Sequence, residues 1–204
     1  MGERLIKRGA EPKLLGFLVL QQSLFFAAGI GLWLWSGAAL ADFLRPTWQA
    51  LGLGIGPAAG LMALLALCFL PQPGLLERIV REQGKGVFST ERPWGLGGIL
   101  IISASAGIGE EALFRGGLQT FLGGLLPAWA AILLTTILFA VAHPGSRLFM
   151  GFIAAVSLAF SLAYHWSGSL FAVMLAHALF DVFGCLWVQR ELRRLGHWDS
   201  EAAP

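Results

Sequence analysis

The chain has 204 residues, of which 56% are hydrophobic and only 13% are charged. Soluble domains usually carry about 25% charged residues, so this composition, with a mean hydropathy of +0.72, is typical of a protein whose exterior faces lipid. The length suits one helical bundle. A net charge of +2, without a basic block interleaved with aromatic residues, argues against nucleic acid as a partner.

Long gaps between charged residues mark the predicted membrane spans. No charged residue lies between Lys13 and Asp42, or between Arg45 and Glu77. Each gap exceeds the roughly 20 residues that a helix needs to cross about 30 Å of hydrocarbon. Lipid offers no partner to free backbone N–H and C=O groups, so each span must be helical. The sequence therefore predicts an all-α, polytopic membrane bundle of about six transmembrane helices, at residues 14–36, 48–70, 95–120, 127–145, 148–165 and 169–189.

The first two predicted spans, within residues 14–70, contain no ionisable side chain and are expected to be scaffold helices. Gln21 and Gln22 in the first helix are expected to form interhelical hydrogen bonds. Basic residues before this helix and Ala39-Leu40-Ala41 after it resemble a signal peptide. Because the apolar stretch, at about 22 residues, exceeds the usual 7–15, we expect a retained helix.

Residues 71–93 form a polar loop, which is expected to be cytoplasmic. Its apolar residues, from Leu75 to Val80, share one face of a short helix, and charged residues occupy the other face. This pattern suits a helix lying on the membrane surface, and a solvated connector explains it equally well. Among the loop residues, every Lys and Arg except Arg45 falls on one side of the membrane. The positive-inside rule then predicts a protein of the plasma (inner) membrane with both termini on the cytoplasmic side.

Few ionisable side chains remain inside the predicted spans, and all of them lie in the last four helices, within residues 95–189. Each costs about 3 kcal/mol at the bilayer centre unless it is paired or faces a wet cavity, and such residues indicate function by default. We therefore expect residues 95–189 to form a four-helix catalytic core. The ionisable residues are Glu110, Glu111, Arg115, His143, His177 and Asp181.

The spacing of these residues favours one shared site. Glu111 and Arg115, and likewise His177 and Asp181, are four residues apart and can face the same way on one helix. At a rise of 1.5 Å per residue, the middle third of the bilayer is expected to hold Glu110, His143, His177 and Asp181. Taken singly, each motif is explained by an ion pair, a structural histidine or a helix clamp. Packing does not require the whole set at one depth, so the set indicates a functional site.

The motifs themselves resemble those of a known family. Glu110-Glu111-Ala-Leu-Phe-Arg115 reads as EExxxR, Phe139-Ala-Val-Ala-His143 as FxxxH, and His177-Ala-Leu-Phe-Asp181 as HxxxN/D. In this order, over about residues 95–185, they resemble the CAAX protease and bacteriocin-processing (CPBP, or Abi) family of intramembrane endopeptidases. The resemblance implies a glutamate-dependent protease that cleaves a membrane-associated peptide or protein.

This resemblance suggests a role for each motif residue. Glu110 is expected to be the general base, assisted by His143. Glu111 is expected to pair with Arg115, and Phe139 to orient its neighbours. His177, oriented by Asp181, is expected to donate a hydrogen bond to the oxyanion. The family accepts Asn or Asp at position 181, although an ionised Asp cannot itself donate.

Two alternatives remain open at this point. Zinc could be bound by Glu110, His143 and His177, since histidine and carboxylate are reasonable zinc ligands. The HExxH spacing of helix-borne zinc sites is absent from the sequence, which favours a metal-free site without a cofactor. The polar cluster could instead be the binding site of a non-catalytic membrane partner, an immunity protein or a small transporter.

Overall fold

The computed structural model describes residues 10–69 and 71–198. In this part of the chain every regular element is helical and no strand occurs, so the predicted all-α bundle is confirmed. The elements are α1 (Ala10–Trp35), α2 (Leu40–Phe43), α3 (Trp48–Phe69), α4 (Pro73–Gln83), α5 (Leu96–Glu111), a π-helix (Ala112–Gln119), α6 (Thr120–Gly123), α7 (Ala128–Val141), α8 (Arg147–Ser167) and α9 (Leu170–Arg194).

Four stretches within the described residues are apolar and long enough to cross a membrane. They are Pro12–Trp35, Leu96–Gly123, Arg147–Ser167 and Leu170–Arg194. The other two predicted spans contain apolar helices shorter than this, over Trp48–Leu64 and Ala128–Val141. The chain is therefore an integral membrane protein with several spans, and the count of six remains a prediction.

Proline, glycine and serine residues set the ends of the core helices. α7 ends at Val141 rather than at the predicted residue 145, because Pro144 disfavours helical backbone at the residue before it. α8 begins after Ser146, whose hydroxyl accepts a hydrogen bond from the N–H of Phe149 at 3.3 Å. It ends at Gly168, which has a φ of 61° and adopts the left-handed conformation that glycine tolerates. His143 consequently lies on a turn after α7.

α9 is the central helix of the bundle. It packs against α5 and α3, while α1 packs against α5 and the π-helix, and α7 packs against α8. Gly107 permits the close approach of α5 and α9, because a Cβ atom there would lie 2.7 Å from the backbone nitrogen of Ala178. This approach brings the motif residues of α5 and α9 together.

The polar segment of residues 71–93 contains a helix, α4, rather than only a connector. Its apolar face is covered by protein, because Val80 is buried in a cluster with Val188, Leu192 and Trp198. The expectation that this face rests on the membrane surface therefore needs correction at Val80. The packing holds α4 against α9 beside the site.

Candidate active site

Glu110 lies near the end of α5 and is buried, with 8% of its surface exposed. Its Oε1 atom accepts a hydrogen bond of 3.0 Å from Nε2 of Gln22 on α1. Its Oε2 atom lies 3.8 Å from Nε2 of His143. This separation is too long for a direct hydrogen bond and short enough for a water molecule to contact both atoms. The two oxygens of Glu110 therefore have different surroundings.

His143 is held by the turn that follows α7. Its Nδ1 atom lies 2.8 Å from the carbonyl oxygen of Phe139, and a carbonyl oxygen can only accept. Nδ1 must therefore carry the proton, which leaves Nε2 as the basic nitrogen in the neutral ring. The His143 side chain is 32% exposed, so it forms the open side of the site.

Glu111 is the centre of a fully buried ionic cluster. Its Oε1 atom accepts a hydrogen bond of 2.9 Å from Nη1 of Arg115, as the sequence predicts. The same oxygen accepts a second hydrogen bond, of 2.7 Å, from Nδ1 of His177. Arg115 lies on the π-helix, a rare conformation that is often found at functional sites. Its Nη2 atom donates to the carbonyl and the hydroxyl of Ser157 at 2.8 and 2.9 Å. The cluster thus joins α5, the π-helix, α8 and α9.

His177 has a second partner besides the one expected. The sequence predicts orientation by Asp181, and Oδ2 of Asp181 does lie 3.5 Å from Nε2 of His177. The shorter contact, at 2.7 Å, is between Nδ1 and Glu111. Glu111 comes within reach because α5 and α9 meet closely at Gly107. Nε2 therefore faces the more open side, where Asp181 is 26% exposed.

Aromatic rings line the cluster. The Cζ atom of Arg115 lies over the ring of Phe139, 4.8 Å from its centroid. Phe139 also stacks on His143, with ring centroids 4.6 Å apart. Phe160 of α8 stacks on His177 with centroids 5.1 Å apart. Both rings restrict the orientation of their histidines. Phe139 thus contacts both Arg115 and His143, and the orienting role expected for it stays a prediction.

Three residues near the site carry no motif signal in the sequence. Gln22 and Ser157 are polar residues in otherwise apolar spans, which is the one signal that could have identified them. Gln22 forms the interhelical hydrogen bond expected of it, but to Glu110, so α1 is more than a scaffold. Phe160 looks like any other core residue in the sequence.

An apolar cavity of about 370 Å³ adjoins the site. Its walls come from α3, α4, α8 and α9, and Asp181 is the acidic residue in its lining. Its volume lies within the range of small-molecule binding sites, about 300–1,000 Å³. An apolar group in this cavity would therefore lie beside the carboxylate of Asp181.

The side chains do not converge as a metal-ligand set. Among the residues that the structure describes, no three His, Cys, Asp or Glu side chains are grouped to bind one ion. One nitrogen of His177 is occupied by Glu111, and Glu111 is paired with Arg115. The arrangement does not fit the zinc set of Glu110, His143 and His177.

Fold and site together define a polytopic membrane protein with a buried carboxylate–imidazole centre. Residues 92–183 match the profile of the family described as type II CAAX prenyl endopeptidase Rce1-like. The resemblance found in the three motifs is confirmed. An uncharacterized protein, YpbD of Bacillus subtilis (strain 168), is 34% identical over 103 residues, which are 48% of this chain and 50% of that protein. The chain thus spans about half the length of this relative. No solved structure matches the chain significantly.

Proposed function

We propose that the protein is an intramembrane endopeptidase that hydrolyses a peptide bond of a membrane-associated substrate. The observation that supports this most is the asymmetric setting of the buried Glu110. One of its carboxylate oxygens is held by Gln22, and the other faces the basic nitrogen of His143 across 3.8 Å. A water molecule in that position has two proton acceptors and is poised to become a nucleophile.

The proposed reaction uses Glu110 first as a base and then as an acid. The water oxygen attacks the carbonyl carbon while one water proton passes to Oε2 of Glu110. The tetrahedral intermediate then collapses as the C–N bond breaks. Glu110 returns the proton to the leaving nitrogen, so the products are a carboxylic acid and an amine. His143 keeps the water oriented through Nε2.

We propose that His177, as an imidazolium with a proton on each ring nitrogen, donates to the oxyanion of the tetrahedral intermediate from Nε2. Its Nδ1 atom is held by Glu111, and its Nε2 atom is directed towards the open side near Asp181. A donor held by a buried ionic cluster needs no reorientation during the reaction. Asp181 positions the ring from the other side and cannot itself donate while ionised.

The substrate is proposed to be a peptide tail that lipid or an apolar group holds at the membrane. The matching family is described as a prenyl endopeptidase, and the apolar cavity adjoins the site at Asp181. A farnesylated peptide ending in Cys-aliphatic-aliphatic-X is therefore the probe of choice. By the positive-inside rule, we propose that the protein lies in the plasma (inner) membrane with both termini on the cytoplasmic side.

We propose that no metal takes part in the hydrolysis, because the side chains that could bind one contact each other instead: His177 bonds Glu111, and Glu111 pairs with Arg115. Exhaustive chelation should leave cleavage of the farnesylated peptide unchanged, and elemental analysis should find less than stoichiometric zinc. Loss of cleavage on chelation, with rescue by added zinc, would show that the side chains rearrange around an ion.

A comparison of membrane peptides from cells tests the proposed activity without a chosen substrate. Cells that carry the wild type should accumulate cleaved membrane peptides that are absent from cells carrying Glu110→Gln. Glu77→Gln is the matched control, because Glu77 pairs with Arg81 on the exposed face of α4. Identical peptide profiles for wild type and Glu110→Gln would contradict a protease and leave a binding or transport role.

A further inference from the structure

We propose that Gln22 of α1 is a positioning residue for Glu110, so that the first helix forms part of the active site. This inference rests on the proposed function for its kinetic consequence only. The structural basis is the hydrogen bond of 3.0 Å from Nε2 of Gln22 to Oε1 of Glu110, which joins residues 88 positions apart in the sequence. By occupying Oε1, Gln22 leaves Oε2 as the oxygen that faces His143.

Close packing between α1 and α5 surrounds the contact of Gln22 with Glu110. Gln22 is buried, with 8% exposure, and lies directly against Gly109, the residue before Glu110. A Cβ atom at position 109 would lie 2.5 Å from both the backbone and the side-chain oxygen of Gln22. A glycine at 109 is therefore what lets α1 approach α5 closely enough for the amide to reach the carboxylate.

An amide suits a carboxyl group that gains and loses a proton. While Glu110 is ionised, Nε2 of Gln22 donates to it. When Glu110 has taken the proton from water on Oε2, its Oε1 atom remains an acceptor, so the neutral amide can keep donating to it. Gln22 can therefore hold Glu110 in both halves of the reaction, whereas a lysine cation would favour only the ionised form.

The test compares Gln22→Met with Gln21→Met in purified protein. Methionine has a similar length but cannot hydrogen-bond an acid strongly. Gln21 is the matched control, because adjacent helical residues point about 100° apart. Gln22→Asn is a second variant that keeps a polar amide for folding and shortens its reach by about 1.5 Å, which is enough to break a 3.0 Å bond.

The first readout does not depend on proteolysis. Infrared spectra identify the carboxyl band of Glu110 as the band that disappears in Glu110→Gln. This band should shift in Gln22→Met and Gln22→Asn, and should stay in place in Gln21→Met. An unchanged band in both Gln22 variants, or an equal shift in Gln21→Met, would overturn the proposal.

The second readout is kinetic, with the farnesylated peptide as substrate. Loss of a hydrogen bond to a charged group should lower kcat about 10- to 100-fold, with KM within about twofold of the wild type. A raised KM with unchanged kcat would assign Gln22 to substrate binding and contradict the proposal. If the wild type itself does not cleave the probe, the proposed function fails on this substrate, while the infrared test of Gln22 still stands.

Discussion

At the scale of single residues, Glu111 is the group on which the buried cluster depends. Its Oε1 atom accepts from both Arg115 and His177, at 2.9 and 2.7 Å. Arg115 and Glu111 are fully buried, so neither charge has water as an alternative partner. A buried charge that loses its partner is much more costly than an exposed one.

Glu111→Gln should therefore destabilise the protein strongly. The neutral amide would leave the Arg115 guanidinium uncompensated, and we expect the free energy of unfolding to fall by about 3–5 kcal/mol. The measurement is denaturant or thermal unfolding in detergent. Glu77→Gln is the control: its ion pair with Arg81 is 2.8 Å long but exposed, so the loss should stay below about 1 kcal/mol. Equal losses in the two variants would show that the buried cluster adds no stability.

His143→Gln should have the opposite profile. The ring is 32% exposed, so its removal should change the melting temperature little. Cleavage of the farnesylated peptide should fall by about 100-fold, because Nε2 no longer orients the water for deprotonation by Glu110. His165→Gln, at an exposed position near the end of α8, should cleave at the wild-type rate. Full activity of His143→Gln would remove this residue from the mechanism.

The sequence alone predicts that the motif residues share a site, because ionisable side chains in a membrane span need partners. Glu111 with Arg115 follows from helical spacing alone. The contact of Glu111 with His177 could not be predicted, since it depends on how closely α5 and α9 approach. Phe160 stacks on His177, and nothing distinguishes it in the sequence from other core phenylalanines.

At the scale of helices, the packing of α5 against α9 decides where the motif residues meet. Gly107 lies four residues before Glu111 on α5. A Cβ atom at 107 would lie 2.7 Å from the nitrogen of Ala178 and 2.8 Å from the carbonyl oxygen of Met174. Both are backbone atoms, which cannot move without shifting α9. Small residues of this kind let membrane helices pack at short range.

Gly107→Ala should accordingly move the two helices apart. We expect a loss of about 1–3 kcal/mol in the free energy of unfolding from overpacking, together with reduced cleavage as His177 moves away from Glu111. Gly97→Ala on the same helix is the control, because a Cβ atom there meets no atom within 4 Å. That variant should be neutral or slightly more stable. Wild-type stability in Gly107→Ala would contradict the close-packing account.

Helix boundaries were only partly predictable. Ser146 and Gly168 bound α8 for local reasons that can be read from the sequence. The fourth span was predicted from hydropathy to end at residue 145, whereas α7 ends at Val141. The π-helix at Ala112–Gln119 could not be predicted, because apolar periodicity does not distinguish it from an α-helix.

At the scale of the whole molecule, the distribution of polar side chains is inverted relative to a soluble domain. The buried set includes Glu110, Glu111, Arg115 and His177, whereas leucine, isoleucine and tryptophan side chains are widely exposed. Such a surface is stable against lipid, and it confines water to the interior. We propose that the apolar cavity beside Asp181 receives the apolar group of the substrate.

Gly184→Leu tests whether the substrate uses this cavity. Gly184 lines it, and a Cβ atom there meets no atom within 4 Å, so leucine should fill space without disturbing the fold. We expect kcat/KM for the farnesylated peptide to fall at least about tenfold, with little change for the same peptide without its lipid. Gly151→Leu on α8, which is equally free of contacts, is the control. Equal cleavage of the farnesylated peptide by both variants would exclude the cavity as its binding site.

The central claim is that the buried carboxylate of Glu110 activates the water that cuts the peptide bond. Single-turnover cleavage of the farnesylated peptide by purified wild type and Glu110→Gln in lipid vesicles tests it most directly, with melting curves to verify folding. The account predicts that the folded variant cleaves at least about 100-fold more slowly. Cleavage by Glu110→Gln at the wild-type rate would contradict it.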